Sequence, residues 1–231
     1  MPTNSPTHRR RKQARPQELL DAALALFVEK GFAASKAEDV AARAGVSKGT
    51  LYLYYPSKEE LLKAVIAHHL NERITSGVAK AASYQGSASD LLQTTLIDWW
   101  SQIYDSPASG VFKLMIAEAR SFPEIARFYQ REVVDRAHHL LGEVLRRGMA
   151  AGEFRPVAVD HAVHSLVLPL VMVCVHRHTV GNCEADSHLD GRAFIREHVE
   201  LVLHGLRRLP DTPPLPAAPP AYPLPSSPKS I

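Results

Sequence analysis

The chain has 231 residues, 45% of them hydrophobic and 22% charged, which excludes a wholly disordered chain and leaves ample material for a buried core. Its two cysteines exclude a disulfide-rich scaffold. The longest nearly pure apolar run, residues 166–175, is shorter than the roughly 18–20 residues that cross a bilayer. No apolar stretch follows the basic N-terminus, so we expect no secretory signal, no membrane partner and a cytoplasmic location.

Positive charge is concentrated in the first quarter of the chain. Up to Lys58 there are ten Lys and Arg residues and five acidic residues, a net charge of +5, whereas the rest has 17 basic and 19 acidic residues, a net charge of −2. This asymmetry favours a polyanionic partner for the N-terminal part. The basic run at residues 9–12 is, by itself, equally consistent with a solvated tail.

The first predicted element is a helix that begins at Pro16, because proline is tolerated in the first helical turn. Apolar residues recur on one face from Leu20 to Phe27, until Gly31 can end the helix. The preceding residues 1–15 are predicted to be a basic, flexible arm.

Two capping boxes predict the starts of further helices. The first, residues 35–38, opens a short helix that Gly45 closes, and the second, residues 57–60, opens a long helix. Between them, Ser47 can cap a third helix. Residues 16–60 are therefore predicted to form one small helical domain.

Helical periodicity continues through the rest of the chain, which makes the predicted fold class all-α. The later helices are expected at about residues 57–83, 89–104, 110–121, 124–151, 157–179 and 190–208. Residues 61–209 then form a second, larger helical domain. Nine of the last 22 residues are proline, so residues 210–231 are predicted to be a disordered or polyproline-like tail.

Residues 35–58 have the spacing of a helix-turn-helix, in which a three-residue turn joins two short helices. Gly45 supplies the positive φ of the corner, Val46 can fill the angle between the helices, and Ser47 caps the second helix. In such a unit the second helix enters the DNA major groove with its N-terminal residues at the base edges.

The second helix of this unit carries several hydrogen-bond donors. Leu51 is the one residue of the helix that suits the core, so the three tyrosines at positions 52, 54 and 55 cannot all be buried. Together with Lys48, Thr50 and Lys58 they can donate to phosphate oxygens. The alternative is that the tyrosines pack under the next helix, which we expect in part for Tyr55.

The sequence of residues 38–62, EDVAARAGVSKGTLYLYYPSKEELL, closely resembles the DNA-binding signature of the TetR family of bacterial transcriptional regulators. The sequence ALFVEKGF at residues 25–32 fits the same family. The resemblance covers about residues 16–66, and beyond them it holds only in length and all-helical layout. One departure lies at residues 34–36, where a threonine pair often starts the second helix, although Ser35 still provides a cap.

The resemblance implies a repressor that binds an inverted-repeat operator in double-stranded DNA as a homodimer and is released by a small apolar or aromatic ligand. It implies phosphate contacts at Ser47, Thr50, Tyr52, Tyr55 and Lys58, and positions facing base edges at Lys48, Gly49 and Tyr54. The arm before Pro16 is expected to add phosphate or minor-groove contacts. The alternative is a DNA-binding regulator or architectural protein without a ligand, and a thermal-shift screen discriminates between the two.

Two late helices carry narrow apolar stripes with heptad-like spacing, which suits helix–helix packing. The stripes are Val163, Leu166, Leu170 and Val173, and then Ile195, Val199, Val202, Leu206 and Leu209. In TetR-like proteins the last two helices form a four-helix bundle with the partner subunit, so the resemblance favours a dimer held by residues of about 157–208. The alternative is that both stripes face their own core.

The middle helices are predicted to enclose a ligand pocket, because they carry large side chains with polar tips. The candidate lining residues are Trp99, Trp100, Tyr104, Phe112, Met115, Phe128, Tyr129, Met172 and His176. Each of them, taken singly, is also compatible with an ordinary core position.

We predict no metal site, no cofactor and no enzymatic activity. His161 and His164 have i,i+3 spacing, but neither a cysteine nor a carboxylate completes a set of ligands at matching helical positions. Cys174 is interpreted as a small core residue, and nothing near Cys183 clearly activates its thiol. The sequence contains no nucleophile elbow, zinc-protease motif, phosphate-binding loop or dinucleotide fingerprint.

Overall fold

The computed structural model describes residues 7–182 and 189–208, and the side chains of residues 16–181 and 189–208. Within these ranges the chain is helical, apart from turns and an isolated bridge between Phe154 and Arg207. The helices are α1 (Thr7–Lys30), α2 (Ala37–Arg43), α3 (Lys48–Tyr54), α4 (Lys58–Ile66), α5 (Glu72–Ser83), α6 (Ala88–Asp105), α7 (Ser109–Glu118), α8 (Pro123–Tyr129), α9 (Asp135–Ala150), α10 (Val159–Arg177) and α11 (Gly191–Leu206). The predicted all-α fold class is confirmed.

Helix α1 begins at Thr7, so the prediction that a flexible arm extends to residue 15 and that Pro16 starts the helix is wrong. Residues 9–15 are Arg, Lys, Gln and Ala, which are strong helix formers. Pro16 lies inside the helix, where it removes one backbone hydrogen bond without ending it. Residues 1–6 of the predicted arm and the proline-rich tail lie outside the described residues.

The predicted capping boxes have different outcomes. Ser57 accepts a hydrogen bond from the backbone N–H of Glu60 at 3.1 Å, as expected at the start of α4. The box predicted at Ser35 is wrong, because the residue that caps α2 is Lys36, whose side chain makes no capping bond. Ser35 is buried and instead donates to the carbonyl oxygen of Gly31 at 2.6 Å, which fixes the loop after α1.

Two of the predicted long helices contain a π-turn. Helix α4 continues through the first π-turn (Ala67–Asn71) into α5, and α8 continues through the second π-turn (Gln130–Val134) into α9. A π-turn holds an extra residue, so it changes which side chains share a face. The two π-turns contact each other.

A continuous hydrophobic core connects α1 to α11. The stripe on α10 is buried in this core, since its four residues are at most 4% exposed, and Ile195, Val199 and Leu206 of α11 are buried as well. The expectation that these stripes contact a partner subunit is therefore wrong: α10 packs against α7, α9 and α11 of its own chain. Leu209 lies beyond the described residues.

Among the described helices, α10 has the length and mean hydropathy, 1.5, of a membrane span. The same criterion is met by core helices of soluble proteins. In this structure 33% of the window with this mean hydropathy is buried, and the buried part is the stripe that packs inside the helical core.

Candidate nucleic-acid interface and internal cavity

The corner between α2 and α3 has the geometry of a helix-turn-helix. Gly45 has a φ of +67°, and a Cβ added there would meet nothing within 4 Å, so the backbone angle and not space requires glycine. Ser47 accepts a hydrogen bond from the backbone N–H of Thr50 at 3.1 Å, and the two hydroxyl oxygens lie 2.8 Å apart. Both features match the sequence prediction.

Helix α3 buries Leu51, which is 1% exposed, and turns its remaining large side chains outward. Tyr52 is 39% and Tyr54 42% exposed, while Tyr55 is half-buried and packs against the core. Burial, with a smaller effect of the neighbouring Tyr54, raises the pKa of Tyr55, so its hydroxyl remains a donor. The partial packing expected for Tyr55 is confirmed.

Leu53 is a surface residue of α3 that the sequence analysis did not select. It is 82% exposed, although leucine is usually a core residue. Its position between two tyrosines on a short helix is the feature of the sequence that could have indicated its exposure. An apolar side chain at such a position can contact a thymine methyl group in the major groove.

Lys48 lies at the N-terminal end of α3 and pairs with a residue of α2. Its Nζ is 2.5 Å from Oε1 of Glu38 and 5.7 Å from the centroid of the Tyr52 ring. The hydrogen bond with Lys48 lowers the pKa of Glu38, and the same bond raises the pKa of Lys48. Glu38 therefore holds the ammonium group on the outward face of the unit.

Lys58, for which a phosphate contact was predicted, donates hydrogen bonds to backbone carbonyl groups of its own chain. Its Nζ donates to the carbonyl oxygens of Phe32, Ser35 and Ala33 at 2.8, 3.0 and 3.3 Å, and it lies 4.5 Å from the centroid of the Phe32 ring. These bonds engage all three donors of an ammonium group. Lys58 thus joins the start of α4 to the loop after α1.

Gly49 follows Lys48 on the exposed N-terminal turn of α3. A Cβ added to it would have its nearest neighbour, Oγ of Ser47, at 3.8 Å, which is ordinary van der Waals contact. Contacts within the protein therefore do not require glycine here. Because Gly49 has no side chain, another surface can approach the backbone of α3 closely at this position.

Helix α7 is fastened to the C-terminal end of α1. Oε1 of Glu118 accepts the backbone N–H groups of Phe32 and Ala33 at 2.9 and 3.3 Å. Nζ of Lys113 donates to the carbonyl oxygen of Val28 at 2.9 Å, and the Phe122 ring meets the Phe32 ring edge-on at 4.8 Å. The first three helices are thereby connected to the larger domain by α7 as well as by α4.

A cavity of about 530 Å³ lies within the larger domain. It is lined mainly by apolar side chains from α5 to α10 and from both π-turns, and it opens to solvent beside the exposed Ile116 and Leu168. Five of the nine predicted lining residues are among those that enclose it, namely Trp99, Trp100, Phe112, Met115 and Tyr129. Apolar residues that the prediction missed include Ile74, Leu96, Ile116, Val163 and Val167.

The other four predicted pocket residues do not line this cavity. Tyr104 packs under the guanidinium group of Arg177, 4.8 Å from its ring centroid, and Phe128 packs against the core. Met172 is 55% exposed, on the outer side of α10, and His176 lies beside Gly181. Aromatic character alone therefore did not identify the lining, because it does not show which side of a helix faces inward.

Polar side chains also line the cavity. His138 of α9 and His164 of α10 have ring centroids 5.4 Å apart, and Arg73 and Gln130 lie on the same wall. Burial raises the pKa of Tyr129, so its hydroxyl is protonated and can donate to a ligand. These five polar residues come from α5, from α8 to α9 with the π-turn between them, and from α10, so no spacing in the sequence could group them.

Asp21, His68 and His69 are the group of potential metal ligands among the described residues. Burial lowers the pKa of His69 to about 4, with a smaller effect of the neighbouring His68, so its imidazole is neutral at neutral pH. Sequence spacing does not predict this group, because Asp21 lies on α1 and the histidines on the first π-turn. Cys174 is buried and its pKa is raised to about 12, which matches a core thiol, whereas Cys183 lies outside the described residues.

Known proteins resemble this chain along both of its domains. Residues 19–65 match the family model described as Bacterial regulatory proteins, tetR family, and residues 85–190 match the one described as Tetracyclin repressor-like, C-terminal domain. YfiR of Bacillus subtilis, an uncharacterized HTH-type transcriptional regulator, is 31% identical over 149 residues, which are 63% of this chain and 71% of that protein.

Two further proteins extend the comparison. The HTH-type transcriptional repressor KstR2 of Rhodococcus jostii is 29% identical over 145 residues, which are 62% of this chain and 70% of that protein. The structure of FadR from Bacillus subtilis in complex with stearoyl-CoA is similar with a TM-score of 0.64 and 21% identity, over 83% of this chain and 99% of that one.

Proposed function

The chain belongs to the TetR family of bacterial transcriptional regulators, and from this premise we propose that it represses transcription by binding an inverted-repeat operator as a homodimer and is released by a small apolar ligand. The observation that carries this proposal is the link between two sites. The exposed helix α3 belongs to a unit that α7 fastens to a ligand-sized cavity. We expect a cytoplasmic protein without enzymatic activity.

Helix α3 supplies the proposed DNA contacts. Its hydroxyl groups at Ser47, Thr50, Tyr52 and Tyr55 are assigned to phosphates, while Lys48, Gly49 and Tyr54 face base edges. The exposure of the tyrosines and the capped N-terminus of the helix support this assignment. Lys58 is assigned to holding the loop after α1, in accordance with its three carbonyl partners.

The homodimer is proposed to form through the outer faces of α10 and α11. These faces leave large apolar side chains exposed, with Leu168 at 57%, Met172 at 55% and Leu201 at 72%. Two copies could then present their α3 helices about 34–36 Å apart, one helical turn of DNA. We expect Met172→Glu and Leu201→Glu to yield monomers in sedimentation experiments, while the control Val78→Glu on α5 remains dimeric.

The ligand is proposed to bind in the cavity. Trp99, Trp100 and Phe112 offer apolar contact, and Tyr129 and His138 can form hydrogen bonds that orient a polar group. FadR of Bacillus subtilis, a transcriptional regulator of similar fold, was solved with stearoyl-CoA, which supports a ligand with an apolar portion.

Ligand binding is proposed to act on DNA binding through α7. Phe112, Met115 and Ile116 of this helix line the cavity, while its Lys113 and Glu118 hold α1. A ligand that favours another position of α7 would therefore change the placement of the two α3 helices. By linkage, the operator must weaken ligand binding by the same factor, which is typically about 5–150-fold.

The test is an operator titration of the full chain by fluorescence anisotropy, with and without a compound found by thermal shift. The operator is first selected from bound genomic fragments. We expect Tyr52→Phe to weaken binding to all sequences and Lys48→Met to cost about 1–3 kcal/mol at one base pair, with Lys80→Met as an unaffected control. A compound that binds in the cavity yet leaves operator affinity unchanged would favour the ligand-independent alternative.

A further inference from the structure

Three potential metal ligands meet where α1 contacts the long helix that leads into the larger domain. The ligand atoms of Asp21, His68 and His69 all lie within 4.8 Å of one another. Nε2 of His69 is 3.6 Å from Oδ1 of Asp21, and the two imidazole centroids are 5.0 Å apart. A nitrogen, nitrogen and oxygen set of this kind suits divalent transition metal ions, Zn²⁺ among them.

The first π-turn brings the two histidines to one side of the helix. They are consecutive residues, and in an α-helix consecutive side chains point in clearly different directions. Both lie in the π-turn Ala67–Asn71, whose extra residue per turn reduces the rotation between neighbours. π-Turns inside α-helices occur frequently at functional sites.

His69 is the best-defined member of the group. Its side chain is 90% buried, and within residues 16–181 and 189–208 its Nε2 has no hydrogen-bond partner. Nearly all buried polar groups of proteins have a partner, so an unpaired ring nitrogen directed at a carboxylate indicates a missing ligand. The separation of 3.6 Å from Asp21 is close to the roughly 3.3–3.4 Å between two ligand atoms of a tetrahedral zinc ion.

The remaining requirements of a metal site are also met. The side chain of Asp21 is 60% exposed and can rotate toward the histidines without loss of packing. A groove lined by His68, His69 and Glu72 opens beside the group. The guanidinium group of Arg73, on the same groove, is hydrogen-bonded to Gln102 at 2.9 Å.

We propose that Asp21, His68 and His69 bind a divalent transition metal ion such as Zn²⁺, with water completing its coordination. The ion joins α1 to the first π-turn and thereby fastens the DNA-binding unit to the larger domain at a point distant from the α7 contacts. It stabilises the folded chain by RT ln(1 + c/Kd), where c is the free ion concentration, because the unfolded chain does not assemble the three ligands.

The experiment uses the full chain after removal of metals with a chelator. Co²⁺ is titrated while its visible absorption is recorded, and Zn²⁺ is then used to displace it. We expect one Co²⁺ ion per chain at this site and a rise in melting temperature with Zn²⁺. His69→Ala and Asp21→Asn should each weaken affinity at least tenfold, whereas His161→Ala and Cys183→Ser should bind as the original chain does.

Asp21→Asn is the decisive variant if His69→Ala fails to fold, since Asp21 is exposed and its replacement disturbs no packing. Circular dichroism checks that each variant is folded. The proposal is wrong if Asp21→Asn and His68→Ala both bind Co²⁺ with unchanged affinity, or if the original chain binds neither ion below about 100 μM, which would give little stabilisation.

Discussion

The contacts that form the recognition helix and those that form the ligand cavity differ greatly in how far apart their residues lie along the sequence. Around α3, Ser47 caps a helix turn that includes Thr50, and Lys48 pairs with Glu38, so the contacts join residues at most ten positions apart. The cavity is enclosed by residues spread over 70–171, on six helices and two π-turns. The recognition helix can therefore keep its shape when other parts move, whereas the cavity changes with any shift between helices.

This difference assigns a distinct role to the contacts between the two regions. Lys113 of α7 binds the backbone of α1 and Glu118 binds the loop that follows it, and neither contact is part of the recognition helix or requires a ligand. In the proposed function they transmit a displacement of the cavity walls to the recognition unit. The comparison can be tested by substitutions within each region and at the contacts between them.

The largest effect is expected from two leucines of α3. Leu51→Ala removes a side chain that is 1% exposed and should destabilise the chain by about 2–5 kcal/mol. Leu53→Ala removes one that is 82% exposed and should change stability by less than about 0.5 kcal/mol. Urea unfolding measures both. Equal losses would show that α3 does not pack as the local contacts indicate.

The N-terminal unit could be predicted almost completely from the sequence, since its determinants are local. Gly45 and Ser47 act within a few residues of their own positions, and both predictions are confirmed. The exceptions are the start of α1, which precedes Pro16, and the residues Ser35 and Lys58, whose partners are backbone oxygens of the loop after α1. A carbonyl group carries no sequence signal, so these contacts could not be foreseen.

The larger domain could be predicted only as a series of helices. The stripes of α10 and α11 were recognisable by their period, but periodicity does not show whether a stripe faces its own core or a partner, and here it faces the core. The π-turns were not predicted, although they alter the faces of two long helices. Helical spacing also does not show which side of a helix faces inward, so four of the nine candidate pocket residues do not line the cavity, and Asp21, on another helix, could not be grouped with the histidines.

The next largest effect is expected at the contact between the regions. Glu118→Ala leaves the backbone N–H of the buried Phe32 without its acceptor and should cost about 1–3 kcal/mol of stability. It should also reduce the effect of a ligand on operator affinity, because α7 loses one of its two contacts with the C-terminal end of α1 and the loop after it. Glu124→Ala, an exposed residue of α8 paired with Arg127, is the control. An undiminished ligand effect in Glu118→Ala would contradict coupling through α7.

A smaller, pH-dependent effect is expected from His178, which joins α10 to α7. Its Nε2 lies 2.8 Å from Oγ of Ser109, and burial, together with Arg177 and Lys113, lowers its pKa. The unfolded chain therefore binds the proton more readily, so stability is complete above about pH 6.5 and falls as the pH decreases through that value. Urea unfolding from pH 8 to 5 should show a weaker decline for His178→Gln than for the original chain.

The smallest effect concerns the ion pair on the exposed surface of the recognition unit. Glu38→Gln removes the carboxylate that holds Lys48 and should raise operator affinity by less than about fivefold, since exposed ion pairs contribute little and DNA no longer has to displace this partner. The gain should shrink at high salt, where charges near the surface are screened. Glu143→Gln, on α9 and paired with Arg146, should change neither affinity nor salt dependence. Lower affinity for Glu38→Gln would instead mean that Glu38 positions Lys48 for its base, so that the ion pair is part of the recognition surface.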